Sequence, residues 1–249
     1  MMPSTTLFAG SLRLLVVTKR TIALLGLQIA PALLFLFAAN GRTDAAAEAA
    51  FIDVAVVALF GLVVPICAIV MAASAIGAER RDQTLSLVTL RPIARPAIAV
   101  VKFLAAWFAA FLLSAVGIMF MHIALIATTG LDGRLMVAMV VAALVANLAY
   151  AAIYLPLGFI TDRAVIIGLA FLLVFENGVV TALPGLAALS PSRVGVQAIG
   201  AIDPDAQIDI EGVLGSLTFD TSDVTVTAVV YVVIGLLATA TLLRRRDMA

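Results

Sequence analysis

The stretch VAVVALFGLVVPICAIVMAASAI, Val54–Ile76, is followed after Gly77 and Ala78 by ERRDQTLSLVTLRP, Glu79–Pro92. The first run carries no charge over a length that crosses a ~30 Å hydrocarbon core as helix. The second opens on Glu79, Arg80, Arg81 and Asp82, which belong in water. A membrane-spanning helix therefore leaves the bilayer near residue 79. Within the polar island Leu85, Leu87, Val88 and Leu90 cluster, which predicts a short amphipathic helix lying just beneath the membrane. Such a helix offers a soluble partner a surface to push on.

The rest of the chain agrees with a membrane setting. Apolar residues make up 64% and charged residues 12%, at a mean hydropathy of +1.20, against about 25% charged in ordinary soluble domains. Apolar runs of spanning length occur at about Thr21–Ala39, Val54–Ile76, Phe103–Thr128, Leu135–Ile160, Ala164–Leu183 and Val224–Leu243. The strict alternation of an outer-membrane strand is absent. The expectation is an all-α, polytopic membrane protein of six transmembrane helices in one transmembrane domain, residues 1–249.

Net charge is zero, but the charges are sorted by side. With both termini cytoplasmic, Arg13, Lys19, Arg20, Arg80, Arg81, Arg91, Arg95, Lys102, Arg163, Arg244, Arg245 and Arg246 lie inside. Only Arg42, Arg134 and Arg193 lie outside. The positive-inside rule selects this orientation in a plasma (inner) membrane. Residues 1–20 place Phe8, Leu12, Leu15 and Val16 on one face and predict an interfacial helix; no cleaved signal is expected.

Segment 79–96 is the expected cytoplasmic helix, ended by Pro92 and Pro96, and Lys102 is expected to snorkel to the headgroups. Asn40–Ala50 and Gly130–Arg134 read as outer turns, and Thr161–Arg163 as a tight inner turn. Residues 183–223 are longer. Their apolar, Pro- and Gly-broken first half predicts an outer re-entrant hairpin. Asp203, Asp205, Asp209, Glu211, Asp220 and Asp223 predict a water-exposed acidic remainder. Asp203 and Asp205 have the opening spacing of a calcium loop, but Ile208 and Leu214 stand where that loop needs Gly and Glu. No metal site is expected.

Some chemistry is excluded by what is missing. His122 is the single histidine, so no H-E-x-x-H site can be built. It reads as a core histidine bonded to a carbonyl, and Cys67 as a small buried apolar residue. Lys19 and Lys102 are the only lysines, and neither closes a phosphate-binding loop. There is no G-x-S-x-G elbow. No catalytic residue is assigned, and energy for any work must come from another chain. Inside the fifth span lies Glu176, in Phe175-Glu176-Asn177-Gly178, roughly 18 Å from the inner edge. A carboxylate at such depth costs on the order of 3 kcal/mol unless it faces protein or water. It reads either as part of a polar conduit with Asn177, or as a carboxylate bonded to a neighbouring helix or the hairpin. Gln28 and Asn147 read as interhelical hydrogen bonds.

At the island the sequence resembles the permease subunits of ABC-2-type transporters. Glu79 opens the motif, Thr84 and Leu85 follow, Arg91-Pro92-Ile93-Ala94-Arg95 comes next, and Lys102 closes it. Gln83 departs from the family's usual Gly. Glu176, Gly178, Leu183-Pro184-Gly185-Leu186 and Ser190-Pro191 resemble the family's span-five end and outer hairpin. The resemblance implies a coupling helix, with Glu79, Arg81, Thr84, Leu85, Val88, Leu90, Arg91, Pro92 and Arg95 docking on a separate ABC ATPase subunit in two copies. It also implies a second permease chain, identical or paralogous, with spans two and five lining the route between the halves. ATP and Mg would sit on the ATPase, leaving this chain without a cofactor. Membrane lipids and an extracytoplasmic partner of the acidic loop complete the expected partners; no nucleic acid is expected. Two other readings stand beside it: a proton-coupled secondary transporter using Glu176, and a non-transporting membrane scaffold.

Overall fold

The computed structural model describes the whole chain except residues 1–2, 82–93, 131–132, 184–185, 187–188, 216 and 246–249. Every regular element among the described residues is helical. Helix α1 is Pro3–Val16, α2 Lys19–Leu27 and α3 Ala30–Ala39; the break before α3 precedes Pro31, which cannot donate to the preceding turn. Helix α4, Asp44–Val54, runs through a π-helical stretch, Ala55–Val63, into α5, Val64–Arg81. Helix α6 is Arg95–Thr128 and α7 Gly133–Ile160. Helix α8, Ala164–Phe171, continues through a second π-helical stretch, Leu172–Val179, into α9, Val180–Ala182. Then come α10, Pro191–Ile202, α11, Gln207–Leu214, and α12, Thr221–Arg245.

Five helices are long and apolar enough to cross a membrane: Lys19–Ala39, Asp44–Arg80, Pro96–Thr128, Gly133–Ile160 and Thr221–Arg244. The stretch expected as a fifth span, Ala164–Leu183, holds a shorter apolar helix, Ala164–Val179. The outer turn expected over Asn40–Ala50 is mostly helix. The Ala-rich run from Asp44 has high helix propensity, so span two begins ten residues earlier than its apolar core. The acidic stretch after residue 202 is likewise not a plain exposed loop. A 3₁₀ turn at Pro204–Ala206 and α11 fold it back, and Asp203 is buried, 3.9 Å from Arg134.

Helix α7 is the centre. It packs on α5, α6, α10 and α12, and Ala138, Ala142, Ala143, Ala146, Ala149 and Tyr150 along it are fully buried. In lipid, apolar burial gives little drive for helix association, so close backbone approach between small residues supplies it. A Cβ on Gly158 would overlap the Ala73 carbonyl of α5, and one on Gly235 the Ala152 carbonyl of α7. Polar side chains add interhelical bonds: Asn147 Nδ2 donates to Ser114 Oγ at 3.0 Å and Gln28 Nε2 to Cys67 Sγ at 3.1 Å. His122 Nδ1 lies 3.1 Å from the Ile118 carbonyl, as a core histidine should. Its ring meets Phe51 edge-on at 5.7 Å, and Phe51 meets Phe35 edge-on at 5.2 Å, joining the first three spans.

Candidate functional site

Two polar constellations stand out in the apolar bundle, one at each end of it. The first lies at the C-terminal end of span two, where the island begins. Glu79, on the last turn of α5, forms an ion pair with Lys102 of α6. The Lys102 side chain is only 2% exposed. The structure thus turns Lys102 inward rather than out to the headgroups, because a carboxylate one helix away satisfies its charge. Arg80, the next residue, faces the other way. Its Nη1 donates to the Phe159 carbonyl at 2.7 Å, and its Nη2 pairs with Asp162 at 2.6 Å. A guanidinium on the last carbonyls of α7 complements the negative end of that helix. Asp162 is 58% exposed, so the ion pair itself is worth little; the bond to Phe159 fixes the geometry. Adjacent residues on one helix thereby tie span two to span three and to the turn after span four.

Arg81 ends α5 and Arg95 opens α6. The other residues expected to dock, Thr84, Leu85, Val88, Leu90, Arg91 and Pro92, lie outside the described residues.

The second constellation surrounds Glu176, in the π-helical stretch Leu172–Val179. Its Oε2 accepts from the Tyr150 hydroxyl at 2.7 Å, Ser190 Oγ at 3.0 Å and Ser192 Oγ at 2.6 Å. Tyr150 stands on α7, and the serines flank the start of α10, where Ser190 also accepts from the Arg193 N–H. One carboxylate oxygen therefore joins α7 and the π-helical stretch Leu172–Val179 to the start of α10. The other, Oε1, is buried without a hydrogen-bond partner. Glu176 lines a cavity of about 200 Å³ with Asn177, Arg193 and, from span two, Val57, Phe60 and Gly61. Asn177 Nδ2 donates to the Leu172 carbonyl at 3.0 Å and reaches the Gly61 carbonyl of span two at 3.5 Å. Gly61 also lies in a π-helical stretch, so two irregular segments face each other there. Widened turns of this kind are frequent at functional positions, since they free carbonyls from the helix ladder.

Sequence reasoning found Glu176, Asn177, Glu79 and Lys102 but missed the three hydroxyls on Glu176 and the Asp162 partner of Arg80. Tyr150 sits among alanines that read only as core. Ser190 and Ser192 read as hairpin punctuation, and Asp162 as part of a turn. Proximity of residues 14 to 82 apart is not written in local pattern. No group of metal-ligating side chains occurs among the described residues.

Residues 18–177 match the family described as ABC-2 family transporter protein, well over half of the 249-residue chain. The chain belongs to that family. The match takes in both constellations apart from α10, running from the N-terminus of span one to Asn177. Membership makes this ABC-2 protein a multi-pass membrane permease, a transport subunit of a family that works with an ABC ATPase and does not itself hydrolyse ATP. No curated protein matches the chain.

Proposed function

We propose that this chain is the membrane subunit of an ATP-driven exporter with six spans, both termini cytoplasmic, and Ala164–Ala182 as the fifth crossing. A separate ATPase, in two copies, binds the island between α5 and α6, and two permease chains form the complete pore. ATP and Mg belong to the ATPase; this chain holds no cofactor.

The observation that carries the reading is the paired clamp at the root of the island. A partner that moves residues 82–93 moves Glu79 and Arg80 with them. Those residues are fastened to Lys102, Phe159 and Asp162, so three spans shift as one body instead of one helix bending. Without that clamp a push on the island would be lost in the turn. The other end of the same body is the Glu176 site, where span five meets span two and the outer helix. Glu176 and Asn177 face the cavity between them, and we assign them to the substrate route. The carboxylate oxygen left without a donor suits a polar group passing that point. The exposed face of span five, with Ile166, Leu173 and Val174 each more than 59% exposed, is the surface for the second permease chain.

The test is ATP hydrolysis and transport by the reconstituted complex. Leu85→Asp or Leu90→Asp should leave the spans folded while hydrolysis no longer drives transport. Normal transport by a well-expressed variant would refute the coupling role. The proton-coupled alternative predicts transport from this chain alone, driven by a pH gradient.

A further inference from the structure

A large cavity lies beside the clamp. It measures about 550 Å³ and lies between α1, the start of α2, α5 and α6. Its lining divides into two halves. Lys19, Arg20, Lys102 and Glu79 supply three cations against one anion, with Ser11, Thr18 and Ser74 among them. Leu14, Leu15, Val70, Met71, Ala75 and Ala78 supply an apolar wall. The α2 N-terminus opens at this place, with Thr18 as its N-cap, and the positive end of a helix adds to the attraction for an anion. Ser74, half-buried, also lines the cavity, and its Oγ has no hydrogen-bond partner among the described residues.

We propose that this cavity binds one anionic phospholipid by its headgroup phosphate. The excess of positive charge selects an anion. The apolar wall selects a lipid over free phosphate, because inorganic phosphate would leave that wall facing water. Lys19 and Arg20 are exposed and meet the phosphate from the bilayer edge, while Lys102 lies behind it, held by Glu79. Basic pockets between helices at the cytoplasmic face bind anionic headgroups by this balance of charges. The leaflet follows from the orientation proposed above; the site itself does not depend on transport or on the ATPase. A lipid seated there touches both sides of the Glu79–Lys102 clamp and stiffens it, so the composition of the leaflet would tune coupling.

The experiment is native mass spectrometry of the full chain, with any subunit that co-purifies, released from nanodiscs containing phosphatidylglycerol and phosphatidylcholine in equal parts. The expected result is one retained phosphatidylglycerol per chain. The double variant Lys19→Gln/Arg20→Gln should weaken retention about thirtyfold, at the ordinary worth of two basic residues beside an anionic lipid. Arg13→Gln, a basic residue of α1 outside the cavity lining, should change nothing. Both side chains in the double variant are exposed, so its melting temperature should match that of the parent. Equal retention of the two lipids, or unchanged retention in the double variant, would overturn the proposal. Displacement of the lipid by millimolar inorganic phosphate would also overturn it, by showing that free phosphate suffices.

Discussion

Glu176 binds three hydroxyls through one oxygen and none through the other, and that asymmetry separates structure from function in its substitutions. Glu176→Ala removes the acceptor of the Tyr150, Ser190 and Ser192 hydroxyls; the serines keep their bond to each other, while Tyr150 is left in an apolar interior, where an unsatisfied polar group costs about 1–3 kcal/mol. A marked fall in melting temperature is expected. Glu176→Gln keeps a carbonyl oxygen in the same place, so stability should fall far less than transport. A Gln variant that melts early yet transports normally per folded molecule would restrict Glu176 to holding α10. Lys102 is the second telling side chain. Lys102→Met removes the ammonium that pairs with the nearly buried Glu79 carboxylate, at a cost of about 3–5 kcal/mol. The double variant Glu79→Gln/Lys102→Met should recover much of that loss, which a double-mutant cycle in denaturation would register. Additive losses would show that the pair is not coupled.

Among the helices, α7 decides the packing, and its neighbours reach it through glycines. Gly158→Ala and Gly235→Ala each drive a methyl group into a backbone carbonyl across the contact, and should cost about 1–3 kcal/mol or more. Gly10→Ala on α1 meets no atom within 4 Å, and should be neutral or gain up to about 1 kcal/mol from helix propensity. Equal melting temperatures for the three variants would contradict the close crossings. These elements also show how far sequence reading reaches. The long apolar runs were legible because crossing a bilayer demands a length and a composition that nothing else requires. Boundaries were less so. Span two starts at Asp44, since a few charges on an Ala-rich run do not prevent helix in water. The fifth run was read as continuous from its hydropathy, and its π-helical turns depend on backbone hydrogen bonding that composition does not encode. The burial of Asp203 depends on Arg134, 69 residues away in the chain.

In the whole molecule, span two is the best enclosed of the long helices, with 61% of its apolar window buried, while Lys19–Ala39 and Thr221–Arg244 have 28% and 17%. The clamp at residues 79 and 80 therefore sits on the helix most tightly bound to the rest, which is where an applied force should enter. The Glu176 site lies where that helix passes the π-helical stretch Leu172–Val179. Glu176 was legible as an anomaly of depth and the island as a break in hydropathy; the physical link between them was not. It runs through Arg80, Phe159 and the body of α7 to Tyr150, a path made by packing between distant segments.

The central claim is that a separate ATPase drives this bundle through the segment rooted at Glu79 and Arg80. The most direct measurement is mass spectrometry of what co-purifies with the tagged chain from its native membrane in mild detergent. A stoichiometric subunit carrying a phosphate-binding loop, lost from the Leu85→Asp variant, is the predicted result. Recovery of the intact chain alone, in good yield and with its fold preserved, would contradict the account and direct attention to Glu176 as a proton site.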